Sequence, residues 1–263
     1  MNHIATITTT TTNSAEEAQW KVRVDLAAAH RLCFREGFSE GIFNHLTARV
    51  PGQDDRYYQI PFGTHWSEVT ASCFMEVSWT GEVLRGDGIV EESAFGIHAP
   101  VHEKVPVAEA VFHTHMPYAS ALTRLKDQTI KPIGQTEVGL MRKVCYDNQY
   151  HGPAVDQSEG QRLVDLLEAN PGKSIVFMAN HGILTIGSIA EAYDRLYYTE
   201  RVAQVQLFAM WTQQPLNPLP QDIIDKTFNS FARTNKYGDK SNADHHFEAL
   251  KRLLDRKDPD YKD

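Results

Sequence analysis

The chain has little cysteine. Cys33, Cys73 and Cys145 are odd in number, widely separated and outside any C-x-x-C pair, which argues against a disulfide framework and against a thiolate zinc site. A reducing, cytoplasmic setting is the expectation that follows. No run of about 18 apolar residues occurs, so a membrane-crossing helix is not expected. The N-terminal stretch lacks a basic segment followed by an apolar one, and no secretory signal is read there. Basic runs are missing as well. With a net charge of −8 and its lysines and arginines scattered, the chain offers no footprint for nucleic acid or an anionic membrane surface.

What the chain does have is enough apolar material for one core. Its 263 residues are 41% hydrophobic and 23% charged, the balance of a single large globular domain with tails. Three spans are expected: a disordered, threonine-rich N-terminal arm over 1–15, a main domain over 16–214, and a C-terminal linker and helical tail over 215–263 opened by Pro215, Pro218 and Pro220. Residues Ala15 to about Phe38 favour helix, with Trp20, Val24, Ala27 and Leu32 available for a buried face. Strand-like pieces follow at Phe43–Val50, Tyr57–Ile60, Met75–Trp79 and Val83–Leu84. Ser93 is placed to cap a helix from Ala94 to Val105, in which Pro100 should kink or end the first part. Further strands are expected at Ala110–His115, Ser174–Ala179 and Ile183–Ile186, and helices near Tyr118–Leu125 and over Glu159–Ala169, Ile189–Trp211 and His245–Leu254. Pro132–Pro153 shows little period and reads as irregular. Strands and helices alternate without a strict βαβ rhythm, which predicts one layered α/β domain with strands of mixed direction.

The chemistry concentrates in histidine. His113 and His115 stand one residue apart at the end of the apolar run Ala110-Val111-Phe112. Strand alternation puts both imidazoles on one face, roughly 7 Å apart at Cα, close enough to share a metal ion. His181 follows a second apolar run, Ile175-Val176-Phe177-Met178-Ala179. Imidazole is the commonest protein ligand for zinc, iron and copper, and three of them leave positions open for chemistry. A divalent metal centre on His113, His115 and His181 is therefore the leading expectation, with zinc first and iron or manganese as alternatives.

Several motifs, in order, resemble the class II aldolase/adducin family: Gly41-Ile42-Phe43-Asn44-His45-Leu46-Thr47-Ala48-Arg49, Ile60-Pro61-Phe62-Gly63, Trp66-Ser67-Glu68-Val69-Thr70-Ala71-Ser72, Phe95-Gly96-Ile97-His98-Ala99-Pro100-Val101-His102, Val111-Phe112-His113-Thr114-His115 and Asn180-His181-Gly182-Ile183-Leu184. The resemblance runs from roughly Leu26 to Met210. It implies an α/β/α sandwich around a central, mainly antiparallel sheet, and a homotetramer with active sites between subunits. It implies a small-molecule substrate and gives His113, His115 and His181 the metal-ligand positions. Asn44 and Gly63 take the places of two substrate-loop residues, where an amide or close-approaching backbone N–H groups meet the substrate. His98 and His102, four apart and so on one helix face, imitate a second metal pair; the resemblance implies a structural role for them.

One departure matters. Sugar-phosphate aldolases of this family carry two serines for phosphate and then a glutamate four residues before the histidine that matches His98. Here Ala94 stands at the glutamate position, with Ser93 and Glu92 where the serines would be. A methyl group moves no proton, so Glu92 is the catalytic carboxylate left, provided a bulge turns it inward, and Ser93 is the remaining substrate-binding hydroxyl. Carboxylates at Glu91 and Glu92 would also repel a phosphate dianion.

Three functional readings follow. The first is a metal-dependent lyase that cleaves a C–C bond next to a carbonyl, by decarboxylation or retro-aldol cleavage, in a small hydroxy or oxo acid. Decarboxylation fits Ala94 best, with Tyr118, Tyr150 or Tyr198 as proton sources. The second is a non-haem iron oxygenase acting on an aromatic 2-oxo acid, for which Phe62, Trp66 and Phe95 would line the pocket. The third is a non-catalytic, adducin-like assembly domain. The tail residues Phe228, Phe231, Arg233, Tyr237 and Arg252 are free either to reach a neighbouring subunit's site or to pack on their own domain.

Overall fold

An eight-stranded sheet runs through the middle of the protein in a computed structural model that describes residues 5–231 and 238–263. Its strands are β1 (His45–Arg49), β2 (Arg56–Gln59), β3 (Met75–Ser78), β4 (Val83–Arg85), β5 (Ala110–Thr114), β6 (Val144–Asp147), β7 (Ile175–Met178) and β8 (Ile183–Gly187). They lie in the order β4-β3-β2-β1-β5-β8-β7-β6. Strands β6 and β7 pair in parallel and the other neighbours pair antiparallel.

Alternation along the strands divides the core between two faces. Leu46, Phe112, Phe177 and Ile183 join Leu26, Leu196, Phe247 and Leu254 in one cluster. These last come from α1 (Ala5–Arg35), α6 (Ile189–Trp211) and α8 (Asn242–Lys257). On the opposite face Val111, Val176, Leu184 and Ile186 pack with Ile97 and Val101 of α2 (Glu92–Lys104) and Leu163 and Leu167 of α5 (Ser158–Ala169). The result is the mainly antiparallel α/β/α sandwich expected.

Some local expectations are corrected. Helix α1 takes in part of the arm expected over 1–15; no proline or glycine lies between Ala5 and Arg35 to stop it, while residues 1–4 lie outside the described residues. Helix α2 is capped by Glu91, whose side chain accepts from the Ala94 N–H, and it starts at Glu92 rather than behind Ser93. It also runs through Pro100 without ending. Two helices support that passage by close approach: a Cβ on Gly160 would lie 2.4 Å from the Gly96 carbonyl oxygen and 2.8 Å from the Pro100 ring. The stretch read as irregular contains α4 (Gln135–Met141) and β6, and the proline-marked linker leads into α7 (Gln221–Phe231).

The tail packs on its own chain. Phe228 lies under the Arg142 guanidinium, 3.7 Å from its ring centre, and Phe231 lies against Gly139 of α4. Phe247, Leu254 and Tyr261 are buried. Arg252 is exposed, and Arg233 and Tyr237 lie outside the described residues.

Candidate metal centre

Sheet register begins the site. His113 on β5 lies opposite His45 on β1 and Leu184 on β8. Because Phe112 faces the α1–α6 side, His113 faces α2 and is fully buried. His115 follows just past the strand, and His181 lies in the turn between β7 and β8. That turn needs Asn180 at φ +58° and is tied down by the Arg124 guanidinium, which donates to the His181 carbonyl at 2.7 Å. Gly182 allows the three rings to meet: a Cβ there would lie 2.6 Å from the His115 ring and 3.3 Å from His113 Cε1.

One nitrogen from each of His113, His115 and His181 falls within 4.8 Å of the others. Ring centroids are 4.7–5.0 Å apart. Burial holds all three imidazoles below their ordinary range, with the other rings of the trio adding for His113 and His181 and Glu40 opposing in part for His115; His181 is lowered to about 4. Neutral rings have one N–H each, and the hydrogen bonds say where it is for two of them. His113 Nδ1–H donates to the Ile183 carbonyl at 3.1 Å, and His115 Nδ1–H donates to Glu40 Oε2 at 2.5 Å. Both Nε2 lone pairs therefore point at each other across 3.1 Å. His181 Nδ1 is buried with no partner among the described residues. Facing lone pairs repel, and a cation between them removes the repulsion. The donor set fits a divalent metal, and the partner at the outer nitrogen of His113 and of His115 is the arrangement that fixes a ligating ring.

A second group lies alongside. His45 Nε2–H donates to Glu91 Oε2 at 2.7 Å, and the Ser93 hydroxyl donates to the same carboxylate at 2.8 Å. The His45 ring stacks 6.0 Å from His113. Burial alone would raise the Glu91 carboxyl, but its bond to His45, the Ala94 N–H and the Ser93 hydroxyl outweigh that and bring it to about 2. Glu92, expected to turn inward, is exposed; the helix begins at Glu92 and aims it at solvent, so Glu91 is the carboxylate that turns in.

The remaining expectations divide. His102 Nδ1–H donates to the Ala108 carbonyl at 2.9 Å, which leaves Nε2 to accept from Thr47 Oγ1 at 2.8 Å. His98 Nδ1–H then donates to the same hydroxyl at 2.7 Å. This pair braces α2 on β1 as neutral imidazoles, both lowered by burial. Asn44 is buried at φ +74° and its Oδ1 accepts the His115 N–H at 3.1 Å, so it braces the end of β5. Gly63 is exposed at φ +94° and does not line the cleft that Phe62, Pro61 and Ile42 make beside His45 and Glu91. Trp66 is fully buried against His30 and Phe95 packs near Tyr57 and Val77, so neither reaches the trio. Of the three tyrosines, Tyr150 lies 5.9 Å from the His181 ring, while Tyr118 packs on Phe208 and Tyr198 on His246. A roomier cavity of about 670 Å3 between α4 and α6 shares no residue with the trio.

Sequence reasoning missed His45 and Glu40, and gave Glu91 only a charge that repels phosphate. Alternation carried a signal for His45: with Leu46 and Ala48 on the α1–α6 side, His45 and Thr47 must face α2. Glu40, before the strand, gave none.

An eight-stranded, mainly antiparallel sheet between helical layers, with three histidines meeting at one end of β5 and β8, defines a class of α/β/α proteins built around a histidine-lined centre. The sequence model of the class II aldolase and adducin N-terminal domain matches residues 24–207, and the chain belongs to that family. A protein of Pseudomonas aeruginosa whose name places it in aldolase class 2 is 32% identical over 248 residues, covering 93% of each chain. An adducin-related protein of Schizosaccharomyces pombe is 30% identical over 91% of this chain and 76% of its own length. The crystal structure of an aldolase II superfamily protein from Pseudomonas syringae superposes with a TM-score of 0.83 at 32% identity, covering 94% of this chain and 96% of that one.

Proposed function

We propose that the protein is a metal-dependent lyase that cleaves a C–C bond next to a carbonyl in a small hydroxy or oxo acid. Three converging imidazoles, two of them with facing lone pairs, carry this reading, and family membership supports a metal-dependent, aldolase-like lyase. His113, His115 and His181 would hold a divalent cation, zinc first, through nitrogen. Such a cation supplies Lewis-acid stabilisation of the negative charge that develops on a carbonyl oxygen as the bond breaks.

The chain's own residues do the rest. Glu40 and the Ile183 carbonyl hold the His115 and His113 rings by their outer N–H groups. Ala94 offers no proton carrier, so the reaction that asks least of one is favoured. In decarboxylation the bond to the carboxylate carbon breaks, carbon dioxide leaves, and the electron pair stays on the carbon beside the carbonyl, which then takes a proton. The His45–Glu91 pair and the half-exposed Tyr150 hydroxyl are the proton-bearing groups beside the trio. We propose a homotetramer with sites between subunits and a reducing, cytoplasmic setting. The three free cysteines suit that setting, and among the described residues no helix is long and apolar enough to cross a membrane. The competing assembly reading is disfavoured by three buried or half-buried imidazoles turned on one another, an avoidable cost without a cation.

Plasma mass spectrometry of purified protein should find close to one equivalent of transition metal per chain, against less than about a tenth in a folded His113→Ala variant. Glu40→Gln should keep the metal but weaken its binding about 10–100-fold in chelator competition. Carbon dioxide or aldehyde release from a panel of hydroxy and oxo acids then reads the reaction. Metal-free wild-type protein that is well folded would sink the proposal, and oxygen uptake with an aromatic 2-oxo acid would replace lyase with oxygenase.

A further inference from the structure

The N-terminus of α2 already holds an anion, and that anion is part of the chain. The Glu91 carboxylate collects the Ala94 N–H at 2.6 Å, the Ser93 hydroxyl at 2.8 and 2.9 Å, and His45 Nε2–H at 2.7 Å. A helix N-terminus, a hydroxyl and an imidazole N–H are together what a free oxyanion would use. His45 is the independent mark that this is a place for a ligand: it is nine-tenths buried, its Nδ1 has no partner among the described residues, and its ring stacks on His113 of the trio. Beyond it the cleft turns apolar. Ile42, Pro61 and Phe62 line it, and the exposed rings of Phe43 and Phe62 stand 6.3 Å apart at its rim.

We propose that Glu91 is the specificity-determining residue of this site: it fills the anion receptor beside the histidine trio, excludes substrates phosphorylated at the end remote from the reacting carbon, and selects unphosphorylated acids whose far end is apolar. The substrate class rests on the lyase reading above; the filled receptor does not. A phosphate entering here meets a carboxylate that already owns every donor it needs, and like charges in a partly desolvated cleft repel strongly.

The test is isothermal titration of the full chain, as purified, with inorganic phosphate. Wild-type protein should show no resolvable binding. Glu91→Ser should bind phosphate at least about tenfold more tightly, since it frees the Ser93 hydroxyl and the His45 N–H and removes the repelling charge. Serine is itself a good helix cap, so α2 keeps its start; Glu91→Asn serves in the same way if the serine variant does not fold. Adding His45→Phe to either should remove the gain, which locates the phosphate. Wild-type binding as tight as the variant's, a folded Glu91→Ser or Glu91→Asn without the gain, or a gain that survives His45→Phe overturns the proposal. Metal content, measured separately, reports on the lyase reading, so either idea can fail without the other.

Discussion

His30 lies edge-on to Trp66, ring centroids 5.3 Å apart, fully buried, and its Nδ1–H donates to the Leu26 carbonyl at 2.8 Å. Its other nitrogen has no partner among the described residues. Burial lowers this imidazole to about 4, the hydrogen bond to Leu26 opposing only in part. His102, equally buried between Thr47 and Ala108, is lowered to about 3. An unfolded imidazole titrates near 6.5, so between that pH and the folded value the unfolded chain binds more protons. The sign is therefore that stability is fully present above about pH 6.5 and is lost as the pH falls toward 4 and then 3. His30 alone accounts for about 3 kcal/mol across that window. Denaturant midpoints measured from pH 8 to 4 should hold steady and then drop below about 6.5. His30→Gln, which can still donate to Leu26 but does not titrate, should flatten the drop; an unchanged slope would show that His30 is already charged or open to water.

At the scale of elements, the crossing of α2 and α5 controls where Glu91 and the His98–His102 brace sit. The two helices meet at Gly96 and Gly160. A Cβ on Gly160 would stand 2.4 Å from the Gly96 oxygen and 2.8 Å from the Ile97 oxygen, both backbone atoms that no rotamer change can move. Gly160→Ala gains up to about 1 kcal/mol of helix propensity and incurs an overpacking cost of about 1–3 kcal/mol. With backbone on both sides of the clash, the cost should win and the melting temperature should fall by several degrees. A variant as stable as wild type would mean that the helices part freely. This same crossing shows what the sequence can and cannot disclose. Strands such as Ala110–His115, and the helix Ile189–Trp211, announce themselves because one long apolar period decides them. Helix α4, strand β6 and helix α7 do not, because each is short and is held by neighbours: Phe231 of α7 against Gly139 of α4, and β6 along β7. At the site, the histidine pair shows its shared face through alternation alone, whereas its meeting with His181 depends on a turn that only folding closes. The choice between Glu91 and Glu92 turns on where a helix starts, which is the least legible feature of any helix.

For the whole molecule, the last residues act as a clasp between the first helix and the loop beside the site. Arg31 of α1 is buried; its Nε donates to the Val69 carbonyl at 2.9 Å and its Nη2 pairs with Asp260 at 2.8 Å. Arg35 pairs with Asp258. The Ala71 and Ser72 N–H groups donate to the Tyr261 and Asp263 carbonyls at 3.0 and 2.8 Å, and the Tyr261 ring is fully buried, its hydroxyl donating to Asp255 at 2.7 Å. The segment thus ties α1 to residues 69–72, on the connection that carries Phe62 to the cleft. Ending the chain after Lys257 would expose the core that Tyr261 covers, at roughly 2–3 kcal/mol, and strip the buried Arg31 of its carboxylate. For a chain of this size the two losses together should lower the melting temperature by roughly 10 °C. If the clasp also holds the cleft, limited proteolysis should cut the truncated chain between Pro61 and Ser72 first. A melting temperature within about 2 °C of the full chain, with that stretch still protected, would show that α1 and the loop hold each other without it.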